Sequence, residues 1–485
     1  MLLVPTMEIQ HARRVTTHHD PTSLAALRTR FGPRYRWYVL LTVMMGTMAS
    51  IMASTIVNVA VPEMSLHFTL GPEQAQWLSA GFMAAMTVSM PVTPWLLNRF
   101  GYRRTYIGAI LLLLVGSIAG GMANQYPLVL AMRVTEGLAA GILQPIPAII
   151  ILRGFEPQEQ GKAMGLFGAG VVLAPALGPS IGGVLLEWFG WRSIFFVAAP
   201  FCLLALPLAA RLLPHSAPGG GPVNADAARL DLPGLLLVAG AILLGLNGLS
   251  MLEGAEATLG LALMAASLVL LAVFVGYQRR VAHPLIRLEL FTHAAFTRGA
   301  IVAFIYGAAL FGSTYLLPVF MQMALGLPPS QAGAVLLPAG IVLAVVIPLV
   351  GRSSTVSNRA LYILVGLSFL SVSFAAMMFI GVGSNLGWLV ALAILGRIGL
   401  GCILPSLNLA AMEGVATGLL AQGTSLINLL RTLGGATGVG LIGVFLAWRL
   451  HADPSQPIRA FHEAFVLLGV ITGGAIAAAW GMRRR

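Results

Sequence analysis

The chain is 485 residues long, with 58% hydrophobic residues, only 9% charged residues and a mean hydropathy of +0.89. No soluble core of this size hides so much apolar surface, so the composition excludes a soluble globular protein and implies an all-α polytopic membrane protein. The net charge of +12 does not call for nucleic acid as a partner, because the cations flank apolar runs where anionic lipid headgroups meet them.

Taken in chain order, residues 1–36 read as a cytoplasmic tail rather than a signal peptide, since the short apolar stretch of MLLVPTMEIQHARR precedes its basic residues. Fourteen apolar runs of membrane-crossing length follow, at about 20 residues for a bilayer core of ~30 Å. They lie near 37–61, 76–97, 105–124, 127–151, 163–186, 193–213, 232–252, 258–277, 299–323, 330–350, 359–381, 387–411, 418–447 and 464–482. These group as a six-helix half (37–213), a Pro/Gly-rich cytoplasmic linker (214–231), two inserted transmembrane helices (232–277) and a second cytoplasmic linker (278–298). A second six-helix half (299–482) precedes the cytoplasmic C-terminus (483–485). With the N-terminus inside, 22 of the 28 Lys and Arg residues fall on the cytoplasmic side, as expected from the retention of basic loops there. The two cysteines, Cys202 and Cys402, sit in apolar runs with no C-x-x-C pattern or His neighbour, so they read as small hydrophobes and no metal site is expected.

Between the second and third runs, PWLLNRFGYRRTY (94–106) sets Gly101 among Arg99, Arg103 and Arg104. Such a turn can serve as a charge-and-dipole latch, its guanidinium groups meeting helix C-terminal carbonyls or neighbouring carboxylates in one conformation only. A loop that only orients the chain would account for the arginines but not for Gly101 at this spacing. The fourth run holds two opposite charges in RVTEG, Arg133 and Glu136. At about 100° per residue they share one side of a helix with Gly137, Ala140 and Gln144, and at i, i+3 they can pair directly. In the fifth run, GLFGAGVVLAPALGPSIGGVL (165–185) places Gly165, Gly178, Pro179, Gly182 and Gly183 where a partner helix can approach closely.

Polar residues inside the runs are candidates for a substrate-binding lining: Ser54 and Asn58, on a helical stripe with Thr47 and Ser50, then Gln144, Tyr306, Tyr315, Gln322, Arg397 and Asn408. For each of them an interhelical hydrogen bond is the competing role. Met83, Met86 and Met90 could adapt to varied apolar ligands or simply fill space. AAGILQPIPAIII (139–151) faintly resembles GLGCILPSLNLAA (399–411), as internally repeated halves would. P-loop and H-E-x-x-H patterns are missing from the sequence, which argues against an enzyme.

The same stretches resemble a known family. PWLLNRFGYRRTY is similar to the G-x-x-x-[DE]-[RK]-x-G-x-[RK]-[RK] signature of the major facilitator superfamily, with Pro94 and Asn98 in place of its Gly and acid. The fifth-run glycines with Pro179 match the antiporter pattern G-x8-G-x3-G-P-x2-G-G, with Ala174 for the middle Gly. STIVNVAVP (54–62), WRSIFFVAAP (191–200) and LINLLRTLGGATG (426–438) extend the likeness, which is to the fourteen-helix drug/proton antiporters of EmrB/QacA type.

That resemblance implies a major facilitator fold with 14 transmembrane helices in a bacterial cytoplasmic (inner) membrane. It implies proton-coupled efflux of hydrophobic drugs or toxic metabolites by alternating access, with a substrate cavity near the midplane. The partners implied are a small-molecule substrate, protons and the lipid bilayer, joined in a Gram-negative host by a periplasmic adaptor and an outer-membrane channel. No cofactor is implied, the proton gradient being the energy source. In the family the fifth helix helps seal the outward side and is associated with export. The first-helix signature commonly begins with an aspartate two residues before the Thr, where this chain has Ala53, and Glu136 stands where R-x-x-Q-G has its Gln. Two readings of Glu136 are therefore open, a proton carrier modulated by Arg133 or a structural partner of it. A narrow-substrate exporter or facilitator of an anionic or sugar-like metabolite, recognised through Arg133 and Arg397, is the alternative.

Overall fold

Apolar runs in which nearly every polar atom is a backbone amide or carbonyl satisfy those groups only by coiling, and the runs do become helices. The computed structural model describes residues 24–216, 229–252 and 256–483, with the side chains of 72–73, 173–177, 179–180 and 329–330 outside the description. Helices are labelled α1 (Tyr35–Phe68), α2 (Gln74–Met122), α3 (Tyr126–Gly154), α4 (Pro157–Phe189), α5 (Arg192–Leu212), α6 (Leu232–Met251) and α7 (Ala257–Gln278). They continue as α8 (Ala294–Ala324), α9 (Pro329–Ser353), α10 (Arg359–Phe379), α11 (Leu386–Ala411), α12 (Thr417–Ala452) and α13 (Pro457–Arg483).

Among the described residues, 12 helices are long and apolar enough to cross a membrane, against the fourteen runs expected. The difference arises at two places. The second and third runs join in the single segment α2, whose only non-helical backbone is at Gly101 (φ 78°, ψ 169°), and this residue divides α2 into two limbs. The fifth run is α4, a continuous helix of 33 residues that includes side chains outside the description. Of the expected tail, residues 1–23 lie outside the described residues, while Leu24–Phe31 is helical and buries Leu27. Pro62 sits inside α1, which runs on to Phe68 rather than stopping near residue 61.

The first half packs α3 against both limbs of α2, and α1 against α4 and α5. The second packs α8 against α12 and α13, α10 against α11 and α13, and α9 against α11. The halves meet where α4 lies along α9 and where α12 reaches α2 and α3. One end of the bundle gathers cations. There Arg153 Nη2 donates to the Thr417 carbonyl at 3.0 Å and Arg359 Nη2 to the Pro157 carbonyl at 3.4 Å, both across the halves. Arg36 pairs with Glu159 at 2.6 Å beside them.

Small residues make the α4–α9 seam close. A Cβ placed on Gly165 would lie 2.9 Å from the Gly351 Cα and 3.1 Å from the Ile347 carbonyl oxygen. Gly178 and Gly182 behave differently: they face Thr55 and Ile56 of α1, within their own half. Gly183 has no such neighbour within 4 Å among the described residues, and Pro179 lies inside the helix with its side chain outside the description.

The inserted pair α6–α7 packs on itself and on α2 and α12. Buried Asp231 closes it at the basic end: the carboxylate caps α6 by accepting from the Gly234 amide at 2.9 Å, and accepts from Gln278 Nε2 at 2.6 Å and the Leu285 amide at 3.2 Å. The linker residues 217–228 lie outside the described residues, but the linker's first residues dock on the turn of α2. Tyr102 donates its amide to the His215 carbonyl at 3.1 Å, and Gly101 fits because a side chain there would collide with His215 and strain a positive φ.

Replacing Gly165 or Gly351 with Val is expected to wedge the seam open at a cost of about 1–3 kcal/mol, read as a lower apparent melting temperature of the purified protein. Gly183→Ala should leave the melt unchanged.

Candidate functional site

The centre of the first half is built around α3. Arg133 and Glu136 are buried to 0% and 1% exposure, and the Arg133 Nη1 to Glu136 Oε2 distance is 2.6 Å. Each charge is held from a different direction. Arg133 Nε donates to the Leu78 carbonyl of α2's first limb at 3.0 Å, and Nη1 also donates to the Ala53 carbonyl of α1 at 3.0 Å. The guanidinium carbon lies 4.3 Å from the centre of the Phe82 ring, a cation–π contact. On the opposite side Ser117, on α2's second limb, donates its hydroxyl to Glu136 Oε1 at 2.7 Å.

Room for this comes from small residues. Gly137 sets α3 against the backbone of Phe82, and a Cβ on Gly116 would stand 2.9 Å from the Glu136 Cγ. The pair thus fastens α1 and both limbs of α2 to α3. Arg133 Nη2 is buried without a partner, so the site is not fully satisfied. Chemically it holds one carboxylate, able to exchange a proton only if water reaches it, beside a cation that stays charged.

A second polar group sits between the halves. Gln144 lies at the break in α3 between Leu143 and Ile146, and its Oε1 accepts from Arg431 Nη2 of α12 at 3.3 Å. On α11, Arg397 Nη2 donates to Thr314 Oγ1 of α8 at 3.4 Å. Tyr306 of α8, 1% exposed, lies within electrostatic reach of both guanidinium groups. The structure therefore brings Gln144, Tyr306 and Arg397 together, and adds Arg431, a residue of the 418–447 run that is not among the sequence candidates.

Other residues expected in a lining are placed elsewhere or spent locally. Ser54 donates to the Ile51 carbonyl at 2.7 Å, and Thr47 and Ser50 likewise bond carbonyls of their own helix at 3.2 and 2.8 Å, so the stripe on α1 offers few free hydroxyls. Asn58 is exposed and accepts from Ser79 at 2.5 Å. Tyr315 and Gln322 are exposed, Gln322 within the π-helical turn that ends α8. Asn408 is buried on α11 with its Oδ1 unpartnered. In the turn of α2, Arg99 and Arg104 are exposed and Arg103 is half-buried. The cross-half bonds at the basic end come instead from Arg153 and Arg359. Their signal in the sequence was their place at the end of one run and the start of another.

A cavity of about 330 Å³ lies among α2, α6, α8 and α12, with Trp77, Met83, Asn247, Phe311 and Thr432 in its wall. Met83 is the helix-2 methionine that reaches this space, while Met86 and Met90 are buried core.

Comparison with known proteins agrees with this architecture. The sequence profile of the Major Facilitator Superfamily matches residues 43–439. The chain is 31% identical over 415 residues to the multidrug resistance protein B homolog of Mycobacterium tuberculosis, covering 83% of this chain and 75% of that protein. It is 27% identical over 434 residues to the riboflavin transporter RibZ of Clostridioides difficile, covering 90% and 93%. Among solved structures, the human organic anion transporter MFSD10 superposes with a TM-score of 0.65 over 92% of this chain and 99% of that one; at 15% identity this likeness speaks to the fold alone.

Removing one partner of the buried pair strands the other, so Arg133→Leu or Glu136→Leu should each cost about 3–5 kcal/mol. The double replacement should melt closer to wild type than the sum of the singles. A double-mutant cycle on thermal melts that came out additive would show that the pair is not coupled.

Proposed function

The chain belongs to the major facilitator superfamily, and from that membership we propose that it is a proton-coupled exporter of hydrophobic drugs or toxic metabolites, working by alternating access in a bacterial cytoplasmic membrane. The chain is a multi-pass membrane transporter, not an enzyme. The observation that carries the antiport reading is the Glu136 carboxylate, enclosed at 1% exposure within a helix bundle, bonded to Ser117 on α2's second limb and paired with Arg133, which in turn holds carbonyls of α1 and of α2's first limb. Protonating it removes its attraction for Arg133, whose two carbonyl bonds remain, so the grip of α3 on its neighbours changes with the proton. Ala53 supports Glu136 as carrier, since the position where relatives of this type commonly have an acid is apolar here.

Fourteen crossings follow if the two limbs of α2 count separately at Gly101 and α4 is included. An even count returns both ends to the basic side, which retention of Lys and Arg assigns to the cytoplasm. In this conformation the halves are joined at that side by Arg153, Arg359 and the α4–α9 glycines. Asn408 Oδ1, Gln422 Oε1, Thr424 Oγ1 and Ser425 Oγ are buried without partners on α11 and α12 in the same part of the bundle. Opening that side to water would satisfy all four, an argument for a second, inward-facing state. The export direction rests on the resemblance of the α4 glycines to the antiporter pattern, and the riboflavin transporter among the relatives favours a narrower metabolite range as the second reading.

Proteoliposomes loaded with a fluorescent substrate test the coupling. Glu136→Gln is expected to abolish efflux driven by an imposed pH gradient while substrate binding stays within about threefold, because the amide keeps the shape and loses the proton. Undiminished pH-driven efflux by this variant would exclude Glu136 as the carrier.

A further inference from the structure

We propose that Arg397 and Arg431 form the binding site for an anionic group, a carboxylate, sulfonate or phosphate, carried on an otherwise apolar substrate. This deepens the transport reading by naming a substrate class, and it rests on that reading only for the direction of movement.

The argument is one of charge and donors. Both arginines lie well inside their helices, Arg397 on α11 and Arg431 on α12, where an uncompensated cation is costly. Arg133 shows how this chain stabilises a structural cation: an ion pair, two carbonyls and an aromatic ring. Arg397 and Arg431 have none of that. No carboxylate pairs with either among the described residues, and the one acid enclosed at such depth, Glu136, is already taken. Each makes one long hydrogen bond to a neutral side chain, to Thr314 at 3.4 Å and to Gln144 at 3.3 Å.

A guanidinium carries five N–H donors, so most of the donors in this pair are unused. None of those nitrogens is buried without a partner, in contrast to Arg133 Nη2. The unused donors therefore face accessible space rather than the core. The Tyr306 phenol, within electrostatic reach of both, adds a donor that favours an anion. Two fixed cations, forked donors and a phenol are the chemistry that recognises an oxyanion bidentately.

The location also ties the site to the moving parts. Arg431 links α12 to Gln144 of the other half, so an anion taking the Arg431 donors competes with that link.

Binding is tested without a gradient, on the purified full chain in phosphatidylcholine nanodiscs, by fluorescence anisotropy of two dyes that share a xanthene scaffold: anionic fluorescein and cationic rhodamine 6G. Fluorescein is expected to bind more tightly than rhodamine 6G. Arg397→Gln and Arg431→Gln should each weaken fluorescein by roughly tenfold or more, the scale of a lost charge-assisted contact, and leave rhodamine 6G unchanged or improved. Lys at either position should retain part of the affinity, and thermal melts report whether each variant is folded. Preference for rhodamine 6G in the wild type, or fluorescein affinity unmoved in both folded Gln variants, would overturn the proposal. Fluorescein binding in a protein that shows no gradient-driven efflux would refute proton antiport alone and leave the anion site standing.

Discussion

A guanidinium placed inside an apolar bundle must be surrounded by acceptors, and in this protein that requirement organises the whole first half. Arg133 draws a carbonyl from α1, a carbonyl from α2 and a carboxylate from its own helix, and the carboxylate in turn draws a hydroxyl from the far limb of α2. The glycines at 116 and 137 are the complement of that demand, since larger residues would hold the acceptors out of reach. Four segments are thus positioned by one cation.

The second half handles its cations in the opposite way. Arg397 is left with one long, neutral contact inside that half and Arg431 with one to Gln144 of the other half, and both keep accessible donors. The asymmetry divides labour between the two halves. A sequestered charge pair lies within one half, two half-buried like charges belong to the other, and Gln144 at the break in α3 touches one of these while sharing a helix with the sequestered pair.

Much of this was legible in the sequence. The i, i+3 spacing of Arg133 and Glu136 foretold their pairing, and the apolar runs foretold the helices, because both depend on local periodicity. What acts across helices was not legible. The carbonyls of Ala53 and Leu78 are acceptors that every residue possesses, so nothing in the residue types marked them. The stripe of Thr47, Ser50 and Ser54 misled for a related reason: hydroxyls in a helix satisfy themselves on the preceding turn. The glycines of α4 read as one signature, yet Gly165 meets the other half whereas Gly178 and Gly182 meet α1, a division set by how the helix crosses its neighbours. Gly101 read as a break between two runs. It is a single left-handed residue in one hydrogen-bonded segment, fixed by the docked carbonyl of His215.

The α6–α7 hairpin has a mechanical consequence. Asp231 stitches its open end shut, and α6 lies against α2 of one half and α12 of the other. A stitched strap resting on two bodies cannot follow both in any rotation that parts them. One of its two contacts has to shear, and whichever adheres more strongly decides which body carries the strap as cargo and which slides beneath it.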